Sequence, residues 1–186
     1  MSSEELPFRE LSAGPERLCG SSALVRLVDG MGFRYRWATE GLDDEYLSFQ
    51  ASEEAMTLAE VLAHMLVLAE WVDRTLERGL AEGEVERSRP EPPPPTVDGL
   101  RRRTLEALLS VRARLEGADD ERLVTVEITA SRSRGPQPFW SLINGPLADF
   151  LTHVGQVAAW RRQAGSPAPR ADVFRGEPPG SPDGDG

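Results

Sequence analysis

The 186-residue chain contains no lysine: all 21 basic residues are arginine, against 31 aspartates and glutamates, giving a formal net charge of −10. Phosphate binding needs a basic surface, so this balance excludes nucleic acid as a partner. The arginine-only usage reads as coding bias rather than function. Cysteine is reduced to Cys19, so no intrachain disulfide can form and a reducing, cytoplasmic setting is expected. A lone thiol among apolar neighbours is more often packed than reactive. The opening Met1-Ser-Ser-Glu-Glu5 lacks the apolar run of a signal peptide, and no stretch approaches the ~18 apolar residues of a membrane span. Histidine is nearly missing too, with only His64 and His153. What remains suits one soluble domain: a 39% hydrophobic fraction and a length sufficient for one sizeable core, too short for two comfortable ones.

Residues 1–15 read as an irregular lead-in, broken by Pro7 and Pro15. Over 16–39, Leu18, Ala23, Leu24, Leu27, Val28, Met31 and Tyr35 recur at helical spacing. Gly30 and Gly32 each cost that helix about 1 kcal/mol, and Arg26, Arg34 and Arg36 are assigned to its wetter side. The acidic segment 41–56 reads as a solvated connection. Thr57-Leu-Ala-Glu60 is a capping box, opening a second helix to about residue 78. Leu58, Val61, Leu62, Met65, Leu68, Val72 and Leu76 form its apolar stripe. His64 falls on that stripe and is expected to aim inward.

A long link over 79–96 carries Pro90 and Pro92 to Pro95 and reads as an extended spacer rather than a docking peptide. The third helix, 97–115, points Leu100, Leu105, Leu108, Leu109, Val111 and Leu115 inward and Arg101, Arg102, Arg103, Arg112 and Arg114 outward. The alternating, β-branched run 123–129 predicts a short extended excursion or strand. Residues 138–144 resume as a turn or two of helix, and Asn144-Gly-Pro146 marks a new start or a kink. The last helix then runs to about 163 and closes on Gly165. Beyond 166 the chain is rich in proline, glycine and aspartate, and a disordered tail over 166–186 is expected. Four helices with a long link between the second and third describe an all-α four-helix bundle.

The last helix carries the chemistry. Asp149 and His153 lie four residues apart, on one face and about one turn from each other, where a carboxylate and an imidazole can share a metal ion. They can equally form a local pair, with the aspartate favoured near the helix N-terminus.

The order of elements, the histidine on the second helix, and Asn144-Gly-Pro-Leu-Ala-Asp149 followed by Thr152-His-Val-Gly-Gln156 and Trp160-Arg-Arg162 resemble the DinB/YfiT-like superfamily of bacterial four-helix bundles. The resemblance spans about 16–165. It implies a divalent metal, zinc or nickel first, held by one histidine of the second helix and two histidines four apart on the last. It also implies kinship with transferases and isomerases that use low-molecular-weight thiols such as bacillithiol, mycothiol or glutathione, and a homodimer. Carried over, His64 and His153 match two ligand positions, and Asp149 stands where the family has histidine. Two histidines and a carboxylate still suit zinc, nickel, iron(II) or manganese. Glu60, one turn before His64, is a candidate to orient that imidazole, unless its capping-box role holds it. Gln156 is placed to touch substrate or bridge helices.

Two functional classes follow. One is a metal-dependent, thiol-using transferase or isomerase acting on a small molecule between the helices. The other is a non-catalytic bundle whose His64, Asp149 and His153 form a structural polar cluster, with function in dimerisation or partner binding.

Overall fold

The computed structural model describes residues 6–82, 84–86, 92–129 and 135–180. In chain order its elements are α1 (Gly20–Thr39), a 3-10 turn (Asp44–Ser48), α2 (Leu58–Glu82), β1 (Glu84–Glu86), α3 (Val97–Glu116), α4 (Asp120–Val124), β2 (Glu127–Thr129), β3 (Gln137–Pro138), α5 (Trp140–Leu142), a π-helical turn (Ile143–Leu147) and α6 (Ala148–Gln163). Helices α1, α2, α3 and α6 form the expected four-helix bundle, and their apolar stripes merge into a single core that includes Val28, Met65, Leu105 and Val157.

The starts of α1, α2 and α3 have local chemical causes. Thr57 and Glu60 close the capping box, with the Thr57 amide donating to Glu60 Oε2 at 2.7 Å and the Glu60 amide to Thr57 Oγ1 at 3.2 Å. Asp44, in the acidic connection, accepts from the Val97 amide at 2.7 Å and so ties that connection to the first turn of α3. Helix α1 begins later than the periodicity suggests, at Gly20, and leaves Leu18 exposed. Its first amides, Gly20 and Ser21, donate to the Asp120 carboxylate at 2.8 and 2.7 Å. Those amides hold Asp120 below the usual carboxylate range.

Several polar assignments change. Arg36, placed on the wetter side of α1, is buried and donates to the carbonyls of Leu6 and Pro7. Arg101, placed outward on α3, is buried against Thr39 and Glu40. Arg112 and Arg114 pair with Asp29 and Asp73 on neighbouring helices, at 2.7 and 2.8 Å. Arginines here bridge helices because a planar fork can meet a carboxylate or carbonyl while its stem stays packed. Leu109, expected inside, is exposed.

The excursion before the last helix exists, but its first half is the helical turn α4. β2 pairs in parallel with β1, in register Glu84↔Glu127 and Glu86↔Thr129, and antiparallel with β3. The link after α2 therefore begins as a strand; Pro90 lies outside the described residues. The disordered tail expected from 166 does not hold over 166–180. Asp172 Oδ1 accepts from the amides of Phe174 and Arg175 at 2.9 Å each, Asp172 bridges Glu177, and the Leu11 amide donates to Gly176 O at 2.9 Å. Backbone and side-chain hydrogen bonds order a segment too poor in apolar residues to show a core pattern. Residues 181–186 lie outside the described residues. No helix among the described residues is long and apolar enough to cross a membrane.

Candidate metal centre

The Asn144-Gly-Pro146 signal resolves as a π-helical turn inside a continuous helical path, with Pro146 within it. Proline offers no amide to the ladder, and the wider turn absorbs the defect. It delivers Asp149 into the first turn of α6, facing α2.

There Asp149 stands between the two histidines. Its Oδ2 is 3.1 Å from His64 Nε2, and its Oδ1 is 3.4 Å from His153 Nε2. The imidazole rings meet edge-on, 5.0 Å between centroids at 86°. One ligand atom from each of the three residues falls within 4.8 Å of the others. Among the described residues this is the one cluster of three such groups. The side chains of His64, Asp149 and His153 are 36%, 45% and 15% exposed. His64 thus sits at the edge of the interior rather than inside it, and the site opens to solvent through Asp149.

The protons can be followed. Gln156 Oε1 lies 2.6 Å from His153 Nδ1. An amide oxygen only accepts, so Nδ1 carries the hydrogen and Nε2 turns a lone pair toward Asp149 Oδ1. A lone pair facing a carboxylate oxygen at 3.4 Å is an arrangement that a cation between them would stabilise. Zinc–ligand bonds of about 2.0–2.2 Å at tetrahedral angles separate donor atoms by about 3.3–3.6 Å. The two spacings, each to a different oxygen of Asp149, lie in or just below that range, and two imidazoles with a carboxylate are donor types that suit a small divalent ion.

Glu60 does not reach His64. Its Oε2 accepts from the Thr57 amide and hydroxyl at 2.7 and 2.9 Å, and these bonds hold the carboxyl below its usual range. The capping role wins because it offers two donors within one turn. Gln156 is found beside His153 rather than bridging helices. Sequence reasoning missed an open groove of about 490 Å³ that borders Asp149 between α2 and the π-helical turn, with Leu68, Trp71 and Pro146 in its lining. Its signal was Pro146, a proline within a helical pattern.

No family model and no curated protein matches the sequence. A solved structure matches the fold: YfiT from Bacillus subtilis, described as a probable metal-dependent hydrolase with an unusual four-helix bundle topology. The two superpose with a TM-score of 0.63 over 85% of this chain and 98% of that one, at 12% identity. This chain has the YfiT-like fold. In that YfiT-like bundle, His64 comes from the second long helix and Asp149 and His153 from the last.

Proposed function

We propose that the protein binds one divalent ion through His64 Nε2, His153 Nε2 and the Asp149 carboxylate, and uses it to act on a small molecule. The observation that carries this reading is Asp149 set between two imidazole Nε2 atoms, at 3.1 and 3.4 Å. A bound ion of this kind acidifies water or stabilises a thiolate, supplying a nucleophile for hydrolysis or for thiol transfer and isomerisation. The protein's own part is to turn both Nε2 atoms toward Asp149, with Gln156 fixing the tautomer of His153, and to bring a carboxylate to the cation. Three protein donors leave further positions for water or substrate. Zinc or nickel suits the two nitrogens best, with iron(II) and manganese as further fits. The sequence resemblance supports a thiol co-substrate and a homodimer, and the single cysteine supports a reducing, cytoplasmic setting.

A second reading keeps the cluster structural, favoured by the contact between His64 Nε2 and Asp149 Oδ2, which satisfies both groups without an ion. Elemental analysis of untagged protein, purified without chelator, separates the two. Near-stoichiometric metal that disappears in His153→Ala supports the metal site. If neither protein holds metal nor takes it up on adding zinc, nickel, iron(II) or manganese, the cluster is structural.

A further inference from the structure

The seam between α2 and α6 does not end at the cluster. His64 faces Asp149, while Leu68 and Trp71, further along α2, share the groove with residues that precede Asp149 in the chain. The two segments therefore run antiparallel, and the groove leads away from Asp149 along the seam. Two helical turns, about 10 Å, separate His64 from Trp71. The floor is apolar, formed by buried Leu68 and Pro146 and half-buried Trp71. The polar groups along it are neutral: Ser141, Asn144 and Thr152. Among the described residues that line it, Asp149 alone is charged.

That charge pattern is selective. The neighbouring arginines of α3 are directed elsewhere: Arg103 pairs with Glu70, and Arg114 with Asp73 and Glu77. A carboxylate or phosphate laid in the groove would lose hydration and meet no cationic side chain among the described residues that line it. An alkyl or aromatic group would exchange water for Leu68, Trp71 and Pro146. From this, and resting on the metal reading above, we infer that the groove receives an uncharged, apolar or aromatic arm of the substrate, reaching about two helical turns from the ion, with Ser141 and Asn144 offering neutral hydrogen bonds along it. The groove sets the substrate class: neutral molecules with an apolar arm bind, and those with an acidic arm do not.

Hydroxamates of different arm on the zinc-loaded protein test this by calorimetry, with no turnover required. Acetohydroxamate carries the chelating group alone, 4-phenylbutanohydroxamate adds an aromatic arm of the right reach, and glutaric monohydroxamate ends a similar arm in a carboxylate. The phenyl arm is expected to tighten binding by about 10- to 100-fold over acetohydroxamate, and the carboxylate arm to add nothing. Trp71→Ala should remove most of the phenyl advantage. Asn144→Arg, at an exposed position that leaves the core intact, should give the carboxylate arm an advantage it lacks in the parent. If all three compounds bind the parent alike, the groove inference is overturned and the metal site stands. Tighter binding of glutaric monohydroxamate than of the phenyl compound also overturns it. Failure of the protein to take up zinc at all removes the metal reading, and this inference with it.

Discussion

Gln156 bonds only one ring nitrogen of His153 among the described contacts, yet that bond decides which nitrogen is left to bind an ion. Replacing Gln156 with alanine should weaken zinc affinity by about 10- to 100-fold, with little change in the melting temperature of metal-free protein; competition with a chromogenic chelator measures the first and calorimetry the second. A side chain that merely packed would shift both together. A different residue governs the alkaline limit. Burial pushes the Tyr35 hydroxyl up to about 12, so the folded state favours the neutral phenol. Its contribution is complete below the unfolded value of about 10 and disappears as pH rises through about 12, a loss of about 2–3 kcal/mol. Urea midpoints measured from pH 9 to 12 should fall more steeply for the parent than for Tyr35→Phe. At this scale the sequence was a partial guide. The Asp149–His153 pair is readable from spacing alone, whereas burial of Arg36 and Arg161 is not. Arg161 donates to the carbonyls of Ala38 and Glu40 at 2.9 and 2.8 Å, closing the C-terminal end of α1, and only the fold brings those groups together.

Helices were legible where periodicity and caps agree, as at the Thr57–Glu60 start of α2, and in the Gly165 close of α6, where glycine adopts φ +86°. The small sheet was less so, because β1 is only three residues, too short to show a period, and is fixed by pairing with β2. Glycines within helices show the same divide between local and tertiary causes. Gly30 and Gly32 look alike in sequence. A Cβ on Gly30 would meet nothing within 4 Å, whereas one on Gly32 would come 2.5 Å from Phe8 Cγ. Gly30→Ala should therefore stabilise the protein by up to about 1 kcal/mol. Gly32→Ala should lose about 1 kcal/mol net, since displacing the Phe8 ring outweighs the gain in helix propensity. Urea unfolding of the two variants, with opposite shifts of midpoint, checks the pair.

Across the whole molecule, the lead-in is held to α1 by several side chains at once. Phe8 lies over Gly32, Trp37 Nε1 donates to Arg9 O at 3.2 Å, and Arg36 reaches the Leu6 carbonyl. The turn around Asp172 then meets it at Leu11. Gly176 has φ +75°, and a Cβ there would fall 2.3 Å from Leu11 Cβ. Gly176→Ala should release this contact by strain and by collision, raising hydrogen exchange at the Leu11 amide while leaving the amides of α2 and α3 protected. Exchange that rises equally everywhere would show instead that the contact is part of the cooperative core. The Leu11–Gly176 contact also carries an order in time. Its partners come from opposite ends of the described chain, so closing it costs more loop entropy than any helix turn and yields a single hydrogen bond until the bundle already holds the ends near each other. On a chain emerging from the ribosome, Leu11 is made early and must wait for almost everything else before its amide finds a partner.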